Sequence, residues 1–195
     1  MIKLLLKIKH SLPFVWSIIE YFNGLYIKIF FGKRIKQNIS GEIKTTEYMY
    51  EIKSLTKNDM PQLADFFARQ PEECFDYFKP HKFDINSLIR LNRNGSVYML
   101  GIYNEKSLIG YFFLRFFANK KSFRGKIVDF EHYGKGISTK MGIFTTNVAL
   151  NSGFRLFETV SKNNIASLKS SKAGTPIKII EELPNDYLYL ECLKN

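Results

Sequence analysis

Three apolar segments joined by short polar links restrict the fold of this 195-residue chain more than any other feature. The segments read SVYMLGIY, SLIGYFFLRFFA and FRGKIVDFE, and the links between them read NEK and NKKS. The segments are rich in β-branched and aromatic residues, and links this short join neighbouring antiparallel strands. The pattern predicts a three-stranded antiparallel meander.

Helices and strands alternate on both sides of this meander. A strand and two short helices are predicted before it, the second helix ending at Gly95. After it we expect a helix over Ser138–Ser152 closed by Gly153, a strand, a helix ending at Gly174, and two final strands. The order β-α-α-β-β-β-α-β-α-β-β predicts an α+β fold over residues 45–195, with one mixed sheet of about seven strands flanked by about four helices.

The first forty residues form a separate, basic segment. They contain seven basic residues and one acidic residue, and apolar side chains recur at helical spacing. We expect residues 1–40 to be an amphipathic helical appendage, joined to the main domain by a linker around Ser40 and Gly41. The apolar positions include Phe14, Ile18, Phe22, Leu25 and Ile29.

Two roles of this appendage remain open. An apolar face beside Lys and Arg is typical of a helix lying on an anionic membrane surface, which would place the protein in the cytoplasm, peripheral on the inner face of the membrane. The same face could pack on its own domain or on a second copy as a homodimer. A membrane span is disfavoured, because Glu20 and Gly24 interrupt a short apolar window. A signal peptide is disfavoured for want of a cleavage site.

The net charge and the number of cysteines limit the kinds of ligand and partner expected for the chain. The net charge of +11 favours an anionic partner. We expect no nucleic acid, because the basic residues are spread along the chain without a recognition motif. Cys74 and Cys192 are too few for a disulfide framework and lack zinc-site spacing, so we expect no metal and favour reduced thiols, although one disulfide is possible.

The stretch HYGKGISTKMG combines two glycines with a predicted helix start. Glycine allows the backbone to approach a phosphate closely, and the first N–H groups of a helix attract anions. Gly134, Gly136 and the start of the helix could therefore hold a pyrophosphate, with Lys135 and Lys140 adding positive charge. An ordinary structural turn is the alternative, since the stretch matches neither a Walker A loop nor a dinucleotide fingerprint.

With these elements in this order, the chain resembles the GNAT superfamily of acyl-CoA-dependent N-acyltransferases. The cofactor pattern of that superfamily, Gln/Arg-x-x-Gly-x-Gly/Ala, corresponds to Tyr133–Ser138; its central Gly136 matches, and both end positions depart. A second feature, Asn-x-x-Ala followed by a helix end of Lys-x-Gly-Phe, also has a counterpart. Asn163, Ala166, Lys172 and Gly174 match it, whereas Thr175 replaces Phe. The resemblance covers about three quarters of the chain, from Tyr48 onward.

The resemblance implies transfer of an acetyl group from acetyl-CoA to a primary amine. It places pantetheine along the backbone of the fourth strand and the pyrophosphate on the glycine turn. The residues implied to bind the cofactor are Val128, Phe130, Tyr133, Gly134, Lys135, Gly136, Ile137, Ser138, Thr139 and Asn163.

The catalytic candidates follow the same strand. Asp129 and Glu131 alternate with apolar residues, so we expect them on one face, where either could act as the base; His132 is a further candidate. Many GNAT enzymes use a Tyr as the acid, but that position is Ser170 here. Tyr133 is a candidate replacement by proximity.

The acceptor site is expected from the resemblance in the segment RQPEECFDYFKPHKFD. Its aromatic residues suit a sugar, and we select Phe75, Tyr77 and His81 as substrate-binding candidates. An amino sugar in surface-polysaccharide biosynthesis is the expected acceptor. The alternative function is a catalytically inactive GNAT-like module that docks a protein partner or a membrane through its N-terminal helices.

Overall fold

A computed structural model describes residues 13–45 and 49–194, and its strands form one seven-stranded sheet. The strands are β1 (Glu51–Ser54), β2 (Val97–Asn104), β3 (Ser107–Phe116), β4 (Lys121–Val128), β5 (Arg155–Ser161), β6 (Ile177–Leu183) and β7 (Tyr187–Cys192). Their order is β1-β2-β3-β4-β5-β7-β6, with β4 and β5 parallel and the other pairs antiparallel. The predicted meander and mixed sheet are confirmed.

Six α-helices accompany the sheet in the described part of the chain. They are α1 (Pro13–Phe30), α2 (Gly32–Thr45), α3 (Met60–Ala68), α4 (Ile85–Arg93), α5 (Ile137–Asn151) and α6 (Ile165–Gly174). Short 3₁₀ turns cover Lys57–Asp59, Glu72–Phe75 and Phe130–His132. The four helices α3 to α6 agree with the predicted α+β fold.

Alternation along the central strands divides the core between the two faces of the sheet. On β3, Phe112 and Leu114 belong to a cluster with α1, α2 and α5, whereas Tyr111 and Phe113 belong to a cluster with α3 and α4. Strands buried on both faces are apolar throughout rather than alternating with polar residues. This explains the continuous apolar run in SLIGYFFLRFFA.

The N-terminal helices pack on the same domain. Ile27, Ile35 and Ile39 lie in the α5 cluster, and the Asn38 side chain donates to Ser152 Oγ at 2.9 Å. The predicted linker at Ser40 and Gly41 is therefore wrong, because α2 continues through it while its apolar face is held in the core. The predicted segment over residues 1–12 lies outside the described residues.

The predicted end of a helix at Gly95 differs from what the structure shows. Gly95 does not close a helix with a left-handed conformation, because α4 already ends at Arg93. A Cβ on Gly95 would lie 2.5 Å from the Gly24 carbonyl oxygen, so α1 contacts the domain backbone there.

Within the described residues, no single helix is long and apolar enough to cross a membrane. The α1–α2 pair, bent by 69°, passes that test only when the two helices are taken together.

The opening between β4 and β5 positions the candidate site. Their parallel ladder covers only Lys121–Phe123 against Arg155–Phe157. Beyond it the strands diverge, so the backbone of β4 from Arg124 onward leaves its β5-facing edge without a strand partner in the described part of the chain. The start of α5 and one side of α6, from Ala166 to Ala173, border this opening.

Candidate functional site

A cavity of about 510 Å³ fills the opening between the diverging strands. Seven of the ten predicted cofactor-binding residues line it, whereas Phe130, Lys135 and Asn163 do not. The Phe130 N–H donates instead to Gln70 Oε1 at 3.1 Å. The seven lining residues are Val128, Tyr133, Gly134, Gly136, Ile137, Ser138 and Thr139.

The glycine turn has the geometry that its sequence suggested. Gly134 and Gly136 adopt left-handed conformations with φ of 77° and 75°, which disfavour any other residue type. A Cβ built on either glycine would meet no described atom within 4 Å, so the backbone is open to an approaching group. Gly136 is the N-cap residue before α5 and provides no side-chain cap, which leaves the helix start available to an anion.

A buried ion pair closes the cavity at the point where the strands separate. Arg124 forms two bonds of 2.8 Å to the Glu158 carboxylate, and its third nitrogen donates to the Gly142 carbonyl at 2.8 Å and to Thr146 Oγ1 at 3.0 Å. Burial alone would raise the pKa of Glu158, but Arg124 outweighs it and lowers that pKa to about 2. The pair follows directly after the last rung of the β4–β5 ladder.

Lys126 projects from the next inward position of β4 into the same cavity. Its ammonium group donates to Ser170 Oγ at 3.1 Å, Ser138 O at 3.3 Å and Ser171 Oγ at 3.4 Å. Burial and then the Arg124 charge lower the pKa of Lys126 to about 8. A pKa near neutrality is suited to proton donation. Lys126 bonds to Ser170, which occupies the position that the resemblance assigns to the acid Tyr.

The two predicted carboxylate bases lie elsewhere than expected. β4 ends at Val128, so Asp129 and Glu131 do not alternate on a strand, and neither lines the cavity. Asp129 begins the following 3₁₀ turn by accepting the Glu131 N–H at 3.1 Å, while Glu131 is exposed. Burial raises the pKa of Asp129, yet bonds from Gln70, the Glu131 N–H and Arg69 outweigh burial and hold it below its usual value.

His132 brings a titratable ring to the cavity wall beside Asp129. Its Nδ1 lies 3.7 Å from Asp129 Oδ1 and is buried without a hydrogen bond among the described residues. Tyr133 also lines the cavity, and its hydroxyl contacts Cys74 Sγ at 3.2 Å. Burial and then Cys74 raise the pKa of Tyr133, so its phenol remains protonated at neutral pH.

The three predicted acceptor residues separate into two groups. Tyr77 is half exposed and lines the cavity together with Phe78 and Cys74. Phe75 and His81 pack in the aromatic cluster around Phe67 and do not line the cavity. His81 lies 3.1 Å from the Tyr111 hydroxyl, and burial lowers the pKa of this histidine.

Several site residues gave no signal in the sequence. Arg124, Lys126 and Glu158 lie in strand segments whose polar positions indicate a solvent-facing side. In the structure α5 and α6 cover that face of the sheet. The two cysteines are not paired with each other. No group of three or more potential metal ligands occurs in the described residues.

Comparison with known proteins shows the fold. No family model and no curated protein matches the chain. Solved structures do match: the GNAT domain of S. lividans PAT (TM-score 0.62, 18% identity) covers 73% of this chain and 89% of its own length. PaiA N-acetyltransferase from Thermoplasma acidophilum with coenzyme A (0.62, 18%) covers 74% and 99%. An aminoglycoside acetyltransferase with coenzyme A and kanamycin (0.57, 13%) covers 73% and 93%.

The chain therefore has the GNAT fold, as the glycine turn and the order of its elements predicted. The coenzyme A complexes are properties of the neighbours.

Proposed function

We propose that the protein is an N-acetyltransferase that transfers the acetyl group of acetyl-CoA to a primary amine. One observation carries the proposal: in a GNAT fold, the cavity between the diverging strands ends at an open glycine turn that begins a helix. The free β4 edge can hydrogen-bond an extended chain such as pantetheine, and the turn can receive its pyrophosphate. Lys135 lies within the turn and Lys169 lines the cavity, and both add positive charge.

The proton transfers are assigned to side chains that line the cavity. The acceptor amine must lose a proton as its C–N bond forms, and His132, with Asp129 behind it, accepts that proton. The C–S bond breaks at the same carbon, and the thiolate that leaves takes a proton from the Lys126 ammonium. Tyr133 is the second candidate acid because it also lines the cavity.

For the acceptor we propose an amino sugar of surface-polysaccharide biosynthesis. Support comes from Tyr77 and Tyr133, two half-exposed aromatic side chains on the cavity wall that offer faces for a sugar ring. Solved neighbours include acetyltransferases for an aminoglycoside and for ribosomal-protein-S5 alanine, so the fold alone does not select an acceptor.

A thermal-shift titration with acetyl-CoA, CoA and ATP tests the cofactor site. A ligand present at about 100 times its dissociation constant stabilises by about 2.7 kcal/mol. We expect a shift with both CoA species and none with ATP. Gly136→Glu should abolish the shift, because its side chain enters the open turn.

Gly153→Glu is the matched control, since Gly153 also has a positive φ, of 84°, but lies outside the cavity. Both variants place Glu at a positive φ, so a shift lost only in Gly136→Glu assigns the turn to the ligand. No shift with millimolar CoA contradicts the proposal.

Turnover is tested separately by the release of free CoA thiol with a panel of amino sugars, polyamines and α-amines. CoA binding without thiol release for any amine favours the inactive binding module. Release with polyamines but not with amino sugars retains the enzyme and rejects the proposed acceptor.

A further inference from the structure

Helix α1 presents most of its apolar side chains away from the protein. Its inward face holds Ile27, which is fully buried in the core, together with Asn23 and Gly24. Asn23 donates to Phe116 O at 2.9 Å and accepts from Ala118 N–H at 3.0 Å, and Gly24 contacts Gly95. Ten large apolar side chains cover the opposite half of the helix. We name them the α1 outer face: Phe14, Val15, Ile18, Ile19, Tyr21, Phe22, Leu25, Tyr26, Ile29 and Phe30.

This arrangement reverses the ordinary surface helix, whose apolar side faces the core. Phe14, Phe22 and Ile29 are 77%, 62% and 65% exposed. The five aromatic side chains alone present on the order of 600 Å², since each Phe or Tyr offers about 200 Å². The largest patch on a typical monomer is about 300–600 Å² in total, so this face calls for a partner.

The exposed charges of α1 and α2 indicate which partner fits the α1 outer face. Lys28, Lys33, Lys36 and Lys44 on α1 and α2 are exposed. Both carboxylates of the two helices point at the domain: Glu20 pairs with Arg115, and Glu42 accepts from Asn147. The outward surface of residues 14–45 therefore carries cations and no anion.

We propose that the α1 outer face lies on an anionic lipid bilayer, with the lysines of α1 and α2 at the headgroups. Aromatic and aliphatic residues beside exposed lysines are the composition that holds a helix in the interface. A second copy of the chain is a poorer occupant, because its lysines would repel these. Crossing the bilayer is a poorer fit too, since α1 is bonded to β3 along its polar side and α2 exposes lysines.

Flotation of the full chain with vesicles tests the proposal, using phosphatidylcholine alone and with about one third phosphatidylglycerol. We expect binding to the anionic vesicles that weakens with salt. Ile29→Glu should weaken the partition at least about tenfold, because it removes an apolar contact with the acyl chains and adds a charge. Lys33→Gln with Lys36→Gln should weaken it roughly 25-fold, at about fivefold per lysine.

Ile179→Glu is the matched control, because Ile179 is 57% exposed on the edge strand β6 and is not part of the α1 outer face. Its partition should equal that of the wild type. Equal partition of Ile29→Glu and the wild type overturns the proposal. Failure of the wild-type chain to bind anionic vesicles also overturns it. This holds whether the chain is a monomer or a dimer that Ile29→Glu dissociates.

Discussion

Replacing Lys126 by Met should stabilise the protein while disabling it. The pKa of Lys126 is lowered from 10.5 to about 8, and each tenfold change in the ionisation constant corresponds to about 1.36 kcal/mol. At pH 7 the folded state therefore carries up to about 3 kcal/mol of cost for holding this cation in the cavity. Met fits the same volume without the charge, so the variant should be the more stable protein by up to that amount.

The pH dependence identifies the cause. Below pH 8 the lysine is protonated in both folded and unfolded chains, and the full cost is present. Between pH 8 and 10.5 the unfolded chain holds the proton and the folded chain does not, so the stability of the wild type rises with pH. The advantage of Lys126→Met should therefore shrink across this interval and vanish above it.

Urea unfolding at pH 7 and pH 10 measures the effect, with Lys121→Met on the same strand as the control. Loss of the proton donor should also lower turnover about 10²–10⁴-fold. A variant that is less stable than the wild type at pH 7, or whose advantage is the same at both pH values, refutes the reasoning.

Three further predictions concern the surroundings of the cavity and the anchoring of α1. His132→Gln should lower turnover about 10²–10⁴-fold and leave CoA affinity unchanged, because the ring beside Asp129 accepts the proton of the amine. Turnover equal to that of the wild type in stopped assays would show that His132 is not the base. Burial lowers the pKa of His81, so the stability of the wild type should fall as the pH drops below 6.5. His81→Phe should flatten this pH dependence in thermal melts measured at several pH values. Parallel stability–pH curves for the two proteins would contradict the lowered pKa. Asn23→Ala loses two hydrogen bonds to β3 and the turn after it, so amide exchange within α1 should accelerate by a local destabilisation of about 1–3 kcal/mol. Unchanged exchange would mean that Ile27 and the Glu20–Arg115 pair anchor the helix without Asn23.

Local patterns were sufficient for the frame of the fold. The meander follows from strand-forming segments and two tight turns, where Glu105 and Lys120 accept left-handed conformations with φ of 55° and 62°. Gly134, Gly136 and Gly153 were each placed at a conformation that their sequence context suggested, because glycine tolerates a positive φ without strain.

Long-range packing decided what the local patterns missed. Ser40 and Gly41 have weak helix propensity, yet α2 continues because Ile35 and Ile39 are buried against the core. Asp129 was expected on a strand, but β4 ends one residue earlier and Arg69 and Gln70 turn its carboxylate away from the cavity. The periodicity of a single segment does not predict contacts between residues that are distant in sequence.

The Arg124–Glu158 ion pair is another contact between residues distant in sequence, and it permits a final prediction. The residues are 34 positions apart, and both side chains are almost completely buried. Arg124→Met leaves the Glu158 carboxylate buried without its partner, which should cost about 3–5 kcal/mol of unfolding free energy at pH 7. Glu158→Met added to it should recover most of that loss, because two apolar side chains replace two charges.

Acid should distinguish this mechanism from simple loss of packing. In the wild type the pKa of Glu158 is about 2, so the stability that it contributes is present above 4.5 and is lost as the pH falls toward 2. In Arg124→Met the unpaired carboxylate should take up a proton at a higher pH, which relieves the cost, so the deficit measured in urea should be smaller at pH 4.5 than at pH 7. A deficit that does not change with pH, or a double variant as unstable as the single losses added together, would mean that the pair is held by packing alone. Recovery in the double variant together with weakened CoA binding would instead show that the charges set the spacing of the strands at the cavity.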